Sequence, residues 1–366
     1  MAERVLSSRR DRTVKIVRAE GDPFQRGRAI GRAFADEIGS SVAYYRDYFA
    51  ERGLAGARLE EVAGPFVRAA SRQLPGESEI LRGTAEGAGV PFLDLFVPNA
   101  YEELEPLARH GPVDVPRVER CSALTVTAPG STLLGHNENW LAADAGTVGV
   151  VIEIPSEAEG IALVSPTAAA YLPAVGMNAA GYAQGVMSLV ASDDRVGVPR
   201  VHVSRHALEA LSLDDAVRRT GVEGRSGGYG YTCALAGGGA WTIETSATRQ
   251  AVLQGPAAHT NHYLDPDLAR VGEERSAGSV GRYERLVELL GERPPRTPED
   301  LMAFLSDHDA SPDSVCLHAD PAEGGEGTTV LFSMVCDLEA RRMWVAGGNP
   351  CTAPYEEIDL AEVLQS

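Results

Sequence analysis

The period of the apolar residues changes at Cys121, and this change constrains the fold more than any other feature of the chain. Upstream, Phe24, Ile30, Phe34, Ile38, Val42, Tyr45 and Phe49 recur at three-, four- or six-residue steps, which lines one face of a helix that Gly53 ends. Helical patterns continue over 59–74 and 80–87, and Pro106, Pro112 and Pro116 then break the chain into an irregular stretch. Downstream the period is two. Residues 122–127 alternate, Pro129-Gly130 turns the chain, and 132–134 supplies the hairpin partner. Further strands are predicted over 147–154, 182–190, 233–236, 241–245, 329–336 and Arg342–Ala346. Ser212 is placed to cap a helix running to Gly221, and Thr297-Pro298-Glu299-Asp300 is a strong helix start. Helices, hairpin-connected strands, helices and strands in that order predict an α+β layered sandwich, not a parallel βαβ fold.

Composition excludes several functions. Asp+Glu number 52 against 33 Lys+Arg, a net charge of −19, and no run of basic residues offers a face to nucleic acid or an anionic membrane. Neither an apolar stretch of signal-peptide length after Arg9, Arg10 and Arg12 nor an apolar run of about 18 residues anywhere is found. The expected location is cytoplasmic. The five cysteines, Cys121, Cys233, Cys316, Cys336 and Cys351, are odd in number, widely spaced and without a C-x-x-C pair. That pattern predicts free thiols, not a disulfide framework or a zinc cluster.

Other motifs point to little. Gly227-Gly228-Tyr229-Gly230 and Gly237-Gly238-Gly239 lack the Lys-Ser/Thr of a phosphate loop and are expected to be hairpin turns. His259-Thr260-Asn261-His262 and Asp307-His308-Asp309 look like ligand sets. Two histidines three apart need a helix to share a face, however, and Asn261 with Pro266 nearby indicates a loop. The cysteines are not placed by sequence to complete either set, so no metal and no cofactor are expected.

Cys121 stands at the first residue of the alternating region, after a polar loop. A coherent α+β domain would begin there, which is the layout of an N-terminal nucleophile precursor. In that chemistry a residue unmasked by self-cleavage uses its own α-amine as general base, and a thiol suits the role. The other four cysteines sit among apolar or strand residues and read as structural.

At this point the chain resembles the acyl-coenzyme A:6-aminopenicillanic acid acyltransferase family (peptidase family C45) of the N-terminal nucleophile hydrolase superfamily. The resemblance spans roughly 20–355 and rests on the order of several short segments. Before the cysteine these are Gly21-Asp22-Pro23-Phe24-Gln25-Arg26-Gly27, Gly83-Thr84-Ala85-Glu86-Gly87 and Asn99-Ala100-Tyr101-Glu102. Cys121-Ser122 and Gly135-His136-Asn137-Glu138-Asn139-Trp140 follow. Later come Gly176-Met177-Asn178-Ala179-Ala180-Gly181, Gly197-Val198-Pro199, His259-Thr260-Asn261-His262, Ser314-Val315-Cys316 and Gly327-Thr328-Thr329.

The resemblance implies a four-layer αββα sandwich and self-cleavage between Arg120 and Cys121. Residues 1–120 would form a retained helical fragment, and 121–366 the core, associated as an αβ heterodimer. Cys121 would attack a small amide, peptide-like or acyl-thioester substrate, acyl-coenzyme A among the possible substrates. The acyl group would then pass to water or an amine. Asn261 would donate to the oxyanion, and Asn139 stands where the family usually has an Asp beside the α-amine. Glu138, His262 and Ser314 are candidate supporting residues. Where the penicillin-forming members carry Arg after the Ser-x-Cys segment, this chain has Leu317-His318. Two other readings stay open. One is an unprocessed, non-catalytic binding protein of the same fold, and the other is a papain-like hydrolase using Cys121, His259 and Asn261.

Overall fold

The computed structural model describes residues 14–108, 121–158, 160–255, 257–272, 276–309 and 311–365. Two sheets face one another. The larger has eight strands in the order β1 (Lys15–Gly21), β4 (Val148–Pro155), β5 (Leu163–Ala168), β6 (Gly176–Asn178), β7 (Tyr182–Leu189), β8 (Gly228–Leu235), β9 (Gly239–Thr245) and β10 (Gln250–Gln254). The smaller has six, in the order β11 (Ala258–His259), β2 (Ser122–Ala128), β3 (Ser131–Leu141), β12 (Thr328–Asp337), β13 (Arg342–Ala346) and β14 (Glu356–Asp359).

Because side chains alternate along a strand, each sheet buries two faces. Toward the other sheet, Ile16, Val150 and Ile152 of the larger meet Leu134, Phe332, Met334 and Val345 of the smaller in one core. On the outer face of the larger sheet, Val17, Ala19 and Val151 join a second core built by α1 (Pro23–Ala33), α2 (Ala35–Glu51), α3 (Gly56–Gln73), α4 (Pro75–Ala88), α5 (Phe92–Phe96) and α6 (Tyr101–Ala108). Also helical are α7 (Arg200–Ala207), α8 (Leu213–Thr220) and the terminal α11 (Leu360–Gln365). On the far side, α9 (Ala277–Glu292) and α10 (Pro298–Leu305) cover the smaller sheet through Leu286, Leu301, Phe304 and Leu305 against Leu124, Leu133 and Val335. The layer order is αββα, as expected.

The N-terminal motifs have structural explanations. Asp22 and Gln25 form the capping box of α1, with Pro23 at its start. The glycines of both helical motifs bring α1 and α4 into backbone contact: a Cβ at Gly27 would lie 1.9 Å from the Ile80 carbonyl oxygen, and one at Gly83 would lie 2.1 Å from that of Phe24. Arg26 is wholly buried and bonds Glu153 of β4 (Nε–Oε2 2.8 Å), which also holds the buried Arg205 of α7 at 3.0 Å. Ser212 and Thr297 cap α8 and α10, the latter with a full capping box.

Three expectations are corrected. The first third is not all helical: β1 precedes α1 and pairs in parallel with β4, in register from Lys15↔Gly149 to Gly21↔Pro155. The segment ahead of Cys121 is therefore woven into the larger sheet. The long helical pattern from Phe24 is two helices, with Phe34 closing α1 and opening α2. Gly228 and Gly230 lie within β8 instead of a turn, because a Cβ at Gly228 would meet the Thr245 carbonyl oxygen at 1.6 Å and one at Gly230 the His259 ring at 2.7 Å. Gly237 and Gly238, at φ +94° and +100°, do form the predicted turn between β8 and β9.

Replacing Glu153 by Gln leaves two buried guanidinium groups without their shared counter-charge. Removing one partner of a buried ion pair costs about 3–5 kcal/mol. Urea unfolding of E153Q is expected to show a loss of that order, with the midpoint displaced and the slope retained.

Candidate active site around Cys121

Cys121 directly precedes β2, an inner strand of the smaller sheet, and its buried thiol packs on Ala123 and on Met187 of β7. The β2–β3 hairpin pairs Ser122 with Asn137, which sets Cys121 opposite the next residues of β3. The Sγ lies 3.6 Å from Glu138 Oε1 and 3.6 Å from the carbonyl oxygen of Asn139. Glu138 Oε2 is 2.9 Å from His136 Nε2. Thiol, carboxylate and imidazole thus form a chain.

Strand alternation separates the two candidates that are adjacent in sequence. His136, Glu138 and Trp140 share one face of β3, while Asn137 shares the other with Asn139 and donates to the Leu305 and Val315 carbonyls beneath the outer helices. Glu138, named only as a supporting residue from sequence, is the side chain at the thiol. Asn139 is buried and approaches Sγ through its backbone carbonyl.

Burial pushes the Cys121 thiol well above its ordinary value, the Glu138 charge pushes it further, and the Arg282 guanidinium pulls it down less. The intact chain therefore holds a neutral thiol with a carboxylate acceptor in reach.

Asn261 follows β11, is buried, and donates from Nδ2 to the Ser188 carbonyl at 3.2 Å. Ser188 is the neighbour of Met187, which touches Cys121. Arg282 of α9 donates to Asn261 Oδ1 at 3.0 Å, so one guanidinium orients the amide and biases the thiol. Sequence reading missed Arg282, since a single Arg among the polar residues of a helix carries no local signal.

The remaining sequence candidates hydrogen-bond to groups other than the thiol. His262 Nδ1 meets Ser279 Oγ at 2.8 Å and the ring packs edge-on against Tyr283, so it braces α9. Ser314 donates to the Cys316 carbonyl at 2.8 Å and shapes its own loop. His259 points Nε2 at Glu244 Oε1, 2.7 Å away and fully buried. Among the described residues the thiol bonds neither His259 nor Asn261, so the papain-like Cys121–His259–Asn261 arrangement is not assembled here. Arg120 lies outside the described residues. Cys351 is exposed, and Cys316 and Cys351 approach His308 and His318, so two cysteines expected to be isolated structural thiols are not isolated.

A cavity of about 80 Å³, which reaches the thiol's surroundings through Glu138, opens between the sheets and the N-terminal helices. Tyr101, Trp140, Tyr171, Leu172, Val186 and Phe332 give it apolar walls, and Glu138 and Glu102 bring carboxyl groups to it. Burial pushes the Glu102 carboxyl up, while the Ser188 and Tyr229 hydroxyls donate to it. The aromatic wall is fixed from behind: Trp140 Nε1 donates to Tyr171 Oη at 2.7 Å, and Asp144 accepts from Ser41 at 2.6 Å and Tyr45 at 2.7 Å. The short turn at Ala142–Asp144 supports the wall in this way.

In a chain still joined at Cys121, the E138Q variant removes the charge that raises the thiol. Its pH profile of alkylation by a small haloacetamide, read by peptide mass spectrometry, is expected to move toward lower pH. A profile unchanged or moved upward would show that Glu138 does not act on Cys121.

Residues 126–352 match the family described as Acyl-coenzyme A:6-aminopenicillanic acid acyl-transferase, more than half of the chain. No curated protein matches significantly. Among solved structures, penicillin V acylase from Agrobacterium tumefaciens is 15% identical with a TM-score of 0.45, over 66% of this chain and 87% of that one. A mutant conjugated bile acid hydrolase from Clostridium perfringens is 11% identical with a TM-score of 0.44, over 66% and 93%. The Caenorhabditis elegans ortholog of N-acylethanolamine-hydrolyzing acid amidase is 13% identical with a TM-score of 0.42, over 60% and 92%.

Proposed function

The chain belongs to the acyl-coenzyme A:6-aminopenicillanic acid acyl-transferase family, and from that premise we propose that Cys121 is the nucleophile of a self-processed amidohydrolase or N-acyltransferase. The observation that carries this reading is the Cys121 thiol at the head of β2, 3.6 Å from the Glu138 carboxylate that lines the apolar cavity. The family match begins downstream of Cys121, so the nucleophile rests on this geometry and on the resemblance of the surrounding segments.

The proposed steps use this chain's own groups. In the intact protein, Sγ adds to the Arg120 carbonyl while its proton passes to the Glu138 carboxylate, which His136 holds in place. The Arg120–Cys121 C–N bond breaks, the Cys121 nitrogen takes a proton, and a thioester joins Arg120 to Sγ. Water hydrolyses that thioester to the Arg120 carboxylate and the free thiol, which now stands beside the α-amine that the shift released. In turnover the α-amine takes the thiol proton as Sγ attacks a substrate carbonyl, and it returns that proton to the leaving amine or thiol. Asn261, oriented by Arg282, donates to the oxyanion. The resulting acyl-enzyme is released to water or to an amine.

The cavity favours an apolar acyl group against its aromatic walls. The Glu138 carboxylate at that surface, within a chain of net charge −19, opposes an anionic substrate and favours a neutral or cationic amide. No helix is long and apolar enough to cross a membrane among the described residues. A cytoplasmic location and a small-molecule substrate are part of the proposal, as is the αβ heterodimer. Cleavage would leave β1 hydrogen-bonded to β4 and Arg26 bonded to Glu153, which supports continued association of 1–120 with 121–366.

Intact mass and N-terminal sequencing test the processing. Two fragments are expected, the larger beginning at Cys121, and C121A should remain a single chain. Active protein in which Met1 is still joined to Cys121 would overturn the mechanism. For N261A, a loss of about 10²–10³ in kcat is expected, the magnitude seen for an oxyanion donor. The processed protein provides that comparison, with covalent trapping by a panel of acyl thioesters reporting acylation separately.

A further inference from the structure

Away from the nucleophile, the fold gathers four side chains whose donor atoms converge. His308 and Cys316 lie on the loop after α10, His318 follows on the same loop, and Cys351 comes from the turn after β13. His318 Nε2 is 3.1 Å from His308 Nε2, 3.4 Å from Cys351 Sγ and 3.7 Å from Cys316 Sγ. All four donor atoms lie within 4.8 Å of one another. We propose that these residues form a Cys2His2 site for a structural zinc ion.

Hydrogen bonding alone does not account for the convergence. A neutral imidazole nitrogen carries one proton or one lone pair, so His318 Nε2 satisfies only one of its three neighbours. A central cation satisfies all four donors together. Zinc bonds of about 2.3 Å to sulfur and about 2.0–2.1 Å to nitrogen set tetrahedral donors roughly 3.3–3.8 Å apart. The three distances around His318 lie in or close to that range. Thiolate and imidazole are also the donor set that structural zinc selects.

The surroundings leave these donors available. Arg285 takes Asp307 and Asp309, at 2.8 and 2.6 Å, so the two acids beside His308 are engaged elsewhere. The Cys316 amide donates to the Asp307 carbonyl at 2.9 Å and closes the loop. Asn349 directs Nδ2 at Cys316 Sγ from 3.7 Å while donating to the Leu317 carbonyl at 2.6 Å, the kind of outer contact that holds a thiolate ligand. On binding, two thiols release their protons to solvent, and Zn²⁺ with two thiolates and two neutral imidazoles forms an uncharged centre. The ion would clip the loop of Cys316 to the turn of Cys351. That loop meets β3 through Val315, whose carbonyl accepts from Asn137.

Metal analysis of the full chain, purified under reducing conditions without chelator, tests the site. One tightly held zinc per chain is expected, removable by a strong chelator with a fall in thermal midpoint that added zinc restores. Cobalt(II) added to the stripped protein should give a sulfur-to-metal charge-transfer band and intense tetrahedral d–d bands. C351S and H308A should lose those bands, and N349A should weaken zinc binding about 10–100-fold. C351S changes an exposed side chain, and its circular dichroism reports whether it folds. Protein without stoichiometric zinc and without a cobalt–thiolate band would overturn the proposal, as would a Cys316–Cys351 disulfide in that reduced protein.

Discussion

Glu153 is the charge around which the N-terminal third of the molecule is organised. Its carboxylate is fully buried and receives Arg26 from α1 and Arg205 from α7, both equally buried. Burying a charge is costly unless it is paired and hydrogen-bonded, so this arrangement tolerates little displacement of any of the three elements. Arg26 reaches Glu153 only because α1 lies close to the larger sheet. The glycine contacts of α1 with α4 let the backbones of those two helices touch. The wall of the cavity that Glu138 lines, with Tyr101, Glu102 and the tyrosines behind Trp140, stands against the N-terminal helices.

The second constraint is the β2–β3 hairpin. Its register sets Cys121 opposite Glu138, and strand alternation turns Glu138 toward the cavity and Asn139 away from it. A buried thiol beside a carboxylate is held neutral. That suits the proposed nucleophile, which must lose its proton only when a carbonyl is in place. The carboxylate at the thiol is Glu138, one residue before Asn139 and on the opposite face of the strand.

Much of this was legible from local pattern. The strands from β2 onward, the caps at Ser212 and Thr297, and the importance of Cys121 all come from period, capping chemistry and position in the chain. β1 was not legible, because a short parallel edge strand is recognised by its partner β4, which lies more than a hundred residues away. Gly228 and Gly230 looked like a turn. Their lack of side chains serves close approach to Thr245 and His259, a contact no local window contains. Arg282 and the role of Glu138 were hidden for the same reason, since each acts across elements that are distant in sequence.

By itself the sequence determined the α+β class, the hairpin at Cys121, the family and the single thiol on which the proposed chemistry turns. These follow from interactions among near neighbours: periodic burial, capping hydrogen bonds, turn glycines and the order of short motifs. Tertiary structure alone decided which carboxylate reaches the thiol, which guanidinium orients Asn261, and that His308, Cys316, His318 and Cys351 meet. Those outcomes depend on distances of a few ångströms between chain segments brought together only by sheet register and layer packing, and hydrogen bonds and metal coordination act only at that range.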